Sequence, residues 1–111
     1  MAGKYDILFT PMKIGSMEVK NRFVMCAMGG THVFRSDGSY DKEGCEYLIE
    51  RAKGGVGLLV TGATIVAPMG SPLWLHEQKP AFMSTKKMTD EVHSYGSKIL
   101  LQLSAGSGRT F

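Results

Sequence analysis

The sequence has few of the side chains that usually form metal centres or nucleophilic catalytic sites. It contains two cysteines, Cys26 and Cys45, and three histidines in 111 residues. Because the cysteines lie nineteen residues apart and form no CxxC pair, they make no metal-binding motif and are expected to be thiols. No Ser/His/Asp or Cys/His arrangement for nucleophilic catalysis is recognisable either.

The sequence also has no run of like charges, no apolar segment of membrane-spanning length and no phosphate-binding loop motif. The net charge is +3 with acidic and basic residues interspersed, which argues against nucleic acid or an anionic membrane surface as a partner. No apolar run is long enough to span a bilayer and no signal peptide is recognised, so the cytoplasm is the expected location. Neither GxGxxG nor GxxxxGK[ST] occurs, so no phosphate-cradling loop is indicated. The length predicts one small domain, residues 1–111.

Three apolar segments of strand length, each followed by glycine, dominate the rest of the chain. They are Phe23–Met28, Val56–Thr61 and Lys98–Leu103, followed respectively by Gly29-Gly30, Gly62 and Gly106. Uninterrupted apolar runs of this length are typical of strands buried on both faces, as in parallel sheets. In α/β proteins ligands bind at the carboxyl ends of such strands, so the glycines predict a ligand-binding edge.

The segment before the first of these strands has the pattern of a hairpin, and the segment between the first two has the pattern of a helix. Alternating apolar and polar residues around Gly15-Ser16 predict a hairpin of Met12–Ile14 and Met17–Val19. Asp41 as an N-cap, followed by one apolar face, predicts a helix over Lys42–Lys53 that ends at Gly54-Gly55.

A long irregular stretch is expected from residue 63 to about residue 82. Ser84 as an N-cap then predicts a second helix over Thr85–Tyr95. Strands that alternate with helices predict an α/β fold with a parallel sheet and right-handed crossovers. We expect the three strands in the order one, two, three, with both helices on one face.

Gln102 is an amide in the interior of the third apolar strand. Burying an amide without partners costs about 1–3 kcal/mol, so Gln102 is expected to lie near a polar ligand or an ordered water. The alternative is that Gln102 only ties a loop to the sheet. The residues alone favour neither interpretation.

Four segments of the chain resemble the old yellow enzyme family. They are LFTPMKIG (8–15), KNRFVMCAMG (20–29), ERAKGGVGL (50–58) and LQLSAGSGR (101–109). The last segment is similar to the QL[ST]AGxGR sequence of the clostridial-type 2-enoate reductases and 2,4-dienoyl-CoA reductases. Other branches carry QLxHAGR at this place. Several motifs in the correct order over nearly the whole chain make the resemblance specific.

The resemblance implies a partial (β/α)8 TIM barrel that binds FMN, made of an amino-terminal β-hairpin, the first three parallel strands and two helices. It also implies contacts with the flavin from Ala27, Met28, Gly29, Gly62 and Gln102. In this interpretation the first three residues lie beside the ring, Gly62 faces its pyrimidine side, and Gln102 hydrogen-bonds the pyrimidine edge. Arg109 occupies the place of a family arginine close to the cofactor. Gly29 departs from the pattern, because many relatives carry Thr or Cys there.

The function implied by the resemblance is reduction of the C=C bond of an enoate or an enoyl-CoA thioester. Hydride from NADH would reach FMN through FAD and a 4Fe-4S cluster, which this branch also carries. The catalytic groups of later strands are not found in these 111 residues, so we expect a truncated flavoprotein that binds no cofactor alone and self-associates as a homo-oligomer. The alternative is a non-catalytic small α/β domain or an inert folding fragment without flavin.

Overall fold

The computed structural model describes residues 3–28, 40–65 and 79–104. A 3-10 turn over Asp6–Phe9 precedes the regular elements. In chain order these are β1 (Met12–Ile14), β2 (Met17–Val19), β3 (Val24–Met25), α1 (Lys42–Lys53), β4 (Leu58–Val60), β5 (Thr64–Ile65), α2 (Lys79–Ser94), β6 (Lys98–Leu100) and β7 (Leu103–Ser104).

The hairpin has the bounds that the alternating pattern predicts. β1 and β2 pair antiparallel, with Met12 opposite Val19 and Ile14 opposite Met17. Gly15 in the turn has a φ of 61°, in the left-handed region where glycine carries no steric cost. The hairpin prediction is therefore confirmed.

The three apolar runs form one parallel sheet in the order β3, β4, β6, as predicted. Each strand is shorter than its apolar run. At the amino end of the sheet, the amides of Gly57 and Leu58 both donate to the Phe23 carbonyl, at 3.0 and 3.2 Å. This shared acceptor belongs to a loop connection, so the regular ladder begins after Phe23. The prediction that these strands are buried on both faces is wrong for the first and third runs, because Phe23, Val24 and Leu100 are exposed at 41%, 46% and 46%.

Helix α1 also has its predicted bounds and caps. The Asp41 carboxylate accepts a hydrogen bond of 2.6 Å from the Gly44 amide, which satisfies one of the open donors of the first turn. After the helix, Gly55 has a φ of 100°, which explains a glycine at this stop.

Helix α2 begins at Lys79, six residues before the predicted start, so the prediction of a Ser84 cap is wrong. Pro80 lies in the first turn, where its missing amide hydrogen removes no helical hydrogen bond. Thr85 is inside the helix and its hydroxyl donates to the Ala81 carbonyl at 2.8 Å. A serine inside a helix can therefore resemble a cap when the true first turn contains proline.

Both helices pack on one face of the sheet, as predicted. The buried cluster combines residues of α1, β4 and α2: Leu48, Ile49, Ala52, Leu59, Met88 and Val92. Met25 and Ile99 stand beside Leu59 in the register and pack against the same cluster. Since side chains alternate along a strand, Val24 and Leu100 belong to the opposite face, where each is 46% exposed.

Asn21 organises the amino-terminal edge of the sheet. Its Nδ2 donates to the Gly55 carbonyl at 2.7 Å, and its Oδ1 accepts from the Phe23 amide at 3.1 Å. A Cβ on Gly57 would lie 2.5 Å from Asn21 Oδ1 and 2.7 Å from its carbonyl oxygen. Only glycine fits at position 57 while Asn21 holds both loops.

Replacing Asn21 with alanine is expected to lower the free energy of unfolding by about 1–2 kcal/mol, because a half-buried carbonyl and an amide lose their partner. Urea denaturation of the 111-residue chain measures the change. Glu18→Ala, at an exposed position of β2, is the control and should stay within about 0.5 kcal/mol of the parent. Equal midpoints for the two variants would contradict the role given to Asn21.

Candidate functional site

The residues after β3, β4 and β6 lie at the carboxyl edge of the parallel sheet. These are the segments 26–28, 61–63 and 101–102. Because the three strands run in the same direction, their ends meet at one edge, which is where ligands bind in α/β folds. The sequence-predicted site residues in the described part of the chain all fall in these segments.

A β-bulge shapes this edge. Val60 lies opposite Leu100, and the next paired position has Thr64 opposite Leu103. Three residues of the second strand, Thr61–Ala63, therefore face only two of the third, Leu101 and Gln102. One extra residue of this kind bends a strand, and bulges are frequent beside active sites.

Beyond the bulge, β5 and β7 continue as a parallel pair. β5 was not predicted, because Gly62 was expected to end the second strand, whereas Leu103 of β7 falls at the end of the predicted strand Lys98–Leu103. A glycine after an apolar run can mark a bulge as well as a strand end.

Gly62 lies in the bulge against the end of the first parallel strand. A Cβ on Gly62 would lie 2.6 Å from the Met28 carbonyl oxygen, closer than real Cβ atoms approach. The missing side chain therefore allows the two backbones to touch. Met28 is 45% exposed and Ala27 is half-buried. The structure thus brings together Met28 and Gly62, two of the predicted site residues.

Gln102 lies in the gap between β6 and β7, with its backbone held on both sides. Its amide donates to Thr61 Oγ1 at 3.0 Å and its carbonyl accepts from the Thr64 amide at 2.8 Å. The prediction that Gln102 is buried inside a continuous strand is wrong, because the bulge interrupts pairing and the side chain is exposed. Within the described residues that side chain makes no hydrogen bond, so its donor and acceptor remain available to a ligand.

Two predicted contacts lie outside the described residues. These are Gly29, expected beside the flavin ring, and Arg109, expected close to the cofactor. Both stay predictions.

Thr61 also belongs to this edge, although the sequence did not predict it as a candidate residue. It is 1% exposed, and its hydroxyl lies 3.0 Å from both the Gly62 carbonyl oxygen and the Gln102 amide nitrogen. The available signal was a hydroxyl residue directly before glycine at the end of an apolar run.

The hollow behind this edge is too small for a cofactor. It is lined by Met25, Met28, Tyr40, Tyr47, Leu48, Val60 and Gly62, and its volume is about 20 Å³. Ligand pockets usually have volumes of about 300–1,000 Å³. A cofactor at this edge would therefore lie on its open side, towards the exposed side chains of Met28 and Gln102.

Lys53, at the opposite edge of the sheet, has a raised pKa. Glu50 raises the pKa of Lys53, first by accepting a hydrogen bond of 2.9 Å from its ammonium group and then by its charge. This pair lies in the last turn of α1, which leads into the amino end of β4. It is an exposed ion pair of the helix surface and takes no part in the candidate site.

The described residues contain neither a metal-binding cluster nor a membrane-spanning helix. No group of three or more His, Cys, Asp or Glu side chains is placed to hold a metal ion there. No helix among those residues has the length and apolarity needed to cross a bilayer.

Comparison with known proteins decides the family. The model of the NADH:flavin oxidoreductase / NADH oxidase family matches residues 7–111. The chain belongs to this family. Its members are FMN-dependent oxidoreductases, so the predicted family and its flavin chemistry are confirmed at that level.

Individual members of the NADH:flavin oxidoreductase family show how much of a relative this chain represents. It is 43% identical to the cinnamate reductase of Clostridium sporogenes over 98% of this chain and 17% of that protein. The solved structure of a 2-naphthoyl-CoA reductase in complex with 2-naphthoyl-CoA matches this chain with 30% identity and a TM-score of 0.77. The match covers 89% of this chain and 16% of the other.

An old yellow enzyme from Pichia sp. AKU4542 matches with 34% identity and a TM-score of 0.70, over 89% of this chain and 26% of the other. The chain therefore spans less than a third of each of these proteins. The predicted fold class is confirmed, as a hairpin, parallel strands and two helices of a TIM barrel with an unclosed sheet.

Proposed function

We propose that this chain supplies the amino-terminal part of an FMN-binding barrel in an enzyme that reduces the C=C bond of an α,β-unsaturated acid or thioester. The observation that carries the proposal is the bulged edge, which places Met28, Gly62 and Gln102 side by side. Similarity to a cinnamate reductase and to a 2-naphthoyl-CoA reductase supports the substrate class.

The residues at this edge are compatible with FMN. The flavin pyrimidine offers a carbonyl beside an N–H, and the exposed Gln102 amide can donate to the first and accept from the second. Ala27 and Met28 would lie beside the ring, with Gly29 following them, and Gly62 presents bare backbone to the pyrimidine side. When bound, FMN supplies hydride transfer, and the chain's contribution is to bind and orient it.

Other functions of the enzyme are proposed to reside outside this chain. A 4Fe-4S cluster needs about four thiolates, and the sequence has two cysteines, so this chain alone cannot hold one. We propose that the cluster, FAD and the NADH site belong to other parts of the protein, as in the 2-enoate reductase branch. The cytoplasm remains the proposed location.

A chimera tests the proposal, in which residues 1–111 replace the matching segment of the C. sporogenes cinnamate reductase. We expect a yellow protein that retains FMN and reduces cinnamate with NADH. A folded chimera that carries no FMN would contradict the proposal and favour the inert-fragment alternative.

In that chimera, Gln102→Ala is expected to raise the FMN dissociation constant about 2- to 10-fold and to shift the flavin reduction potential. The reason is the loss of one uncharged hydrogen-bonding partner. FMN titration and potentiometry measure both quantities. Lys98→Ala is the control, because Lys98 is an exposed residue of β6 at the opposite edge of the sheet. If Gln102→Ala matches the control in both measurements, Gln102 is not a pyrimidine contact.

A further inference from the structure

The Thr61 hydroxyl replaces a backbone partner where the sheet ladder is interrupted. The Thr61 amide donates to the Leu100 carbonyl at 3.0 Å, as in a regular parallel pair. In a continuous ladder the next bond would run from the Gln102 amide to the Thr61 carbonyl. The Gln102 amide instead donates to Thr61 Oγ1 at 3.0 Å. A side chain therefore sets the position of Gln102.

The same hydroxyl also holds the other side of the edge. Thr61 Oγ1 donates to the Gly62 carbonyl at 3.0 Å while it accepts from Gln102. A hydroxyl has one hydrogen and two lone pairs, so both bonds form at once. On its other side, the Gln102 carbonyl accepts from the Thr64 amide at 2.8 Å. The relative orientation of Gly62 and Gln102 thus depends on one buried side chain.

We propose that Thr61 is a positioning residue for the flavin, a role that rests on the proposed function. Thr61 is 1% exposed and has no surface from which to contact a ligand. It acts through its neighbours, by holding the Gln102 backbone so that the exposed amide reaches the pyrimidine edge over Gly62. Thr61 therefore determines how well the site is organised before the cofactor arrives.

The test compares Thr61→Val, which keeps the shape and removes the hydroxyl, with Thr61→Ser, which keeps the hydroxyl. In the cinnamate reductase chimera, Thr61→Val is expected to raise the FMN dissociation constant about tenfold and to shift the flavin reduction potential, because two hydrogen bonds are lost. Thr61→Ser is expected to stay within about twofold of the parent for binding. If Thr61→Val fails to fold, Thr61→Cys takes its place in the comparison with Thr61→Ser. Cysteine is similar in size to serine, but its thiol is only a weak hydrogen-bond donor.

A double-mutant cycle separates positioning from general stabilisation. If Thr61 acts through Gln102, Thr61→Val should change FMN binding at most about twofold in a Gln102→Ala background, since the residue that it positions is gone. A full tenfold effect in both backgrounds, or parent-like binding and potential in Thr61→Val, would overturn the proposal. A folded parent chimera that carries no FMN would instead contradict the proposed function, so the two failures are distinguishable.

Discussion

Gly62→Ala is expected to separate the ends of the first two parallel strands and to weaken flavin binding more than loss of any single hydrogen bond. The added Cβ would lie 2.6 Å from the Met28 carbonyl oxygen. Because that atom belongs to the backbone, no rotamer change can relieve the contact. Overpacking of this kind costs about 1–3 kcal/mol. In the cinnamate reductase chimera we therefore expect a lower melting temperature and an FMN dissociation constant raised about 5- to 100-fold.

Gly54→Ala is the matched control for this substitution. Gly54 has helical dihedral angles, with a φ of −67°, and a Cβ there would lie 3.4 Å from the nearest carbonyl oxygens. Alanine is therefore accommodated, and melting and FMN binding should remain close to those of the parent. If Gly62→Ala behaves like Gly54→Ala, the close approach of Gly62 to Met28 does not organise the site.

The 111-residue chain by itself is expected to sediment as a dimer or a larger species. The sheet face opposite the helices exposes Val24 and Leu100 at 46% each, and Leu103 at 60% is exposed beyond the bulge. Within the described residues, β3 and β6 each have one sheet neighbour, so one edge of each is open. These edges are short, two and three residues, so burial of apolar surface should drive association more than strand pairing.

Sedimentation velocity over a range of concentrations tests this expectation. Val24→Lys places a charge on the exposed sheet face and should shift the distribution towards monomer. Glu18→Gln changes the net charge by the same amount in the hairpin and should leave the distribution unchanged. A parent chain that is monomeric at all concentrations would show that its open face is covered in another way.

Local signals in the sequence determine the elements that were predicted correctly. The hairpin follows from alternation around Gly15, and α1 follows from Asp41 together with one apolar face. The order of the parallel strands follows from three apolar runs separated by helical segments. In each case neighbouring residues carry the information, so no knowledge of distant contacts is needed.

The bulge depends on contacts between distant parts of the chain, and this is why it was missed. Gly62 must meet the Met28 carbonyl, and Thr61 must meet Gln102 forty-one residues later. Neither pairing leaves a periodic pattern in the sequence. The predicted start of α2 is wrong for a different reason. Pro80 is typical of a loop in the sequence, but it lies in the first turn of the helix. Gln102 was identified as an amide inside an apolar run, and the family resemblance assigned it to the flavin, although its environment differs from the buried one expected.

We propose that the bulged edge forms the pyrimidine side of a flavin site. A crystal structure of the cinnamate reductase chimera with FMN tests this proposal. We predict that the Gln102 side-chain amide lies about 2.7–3.2 Å from the pyrimidine carbonyl and N–H, with Gly62 under the same edge. A flavin whose pyrimidine edge lies away from Gln102, with that amide still facing solvent, would show that this edge is not the pyrimidine side of the site.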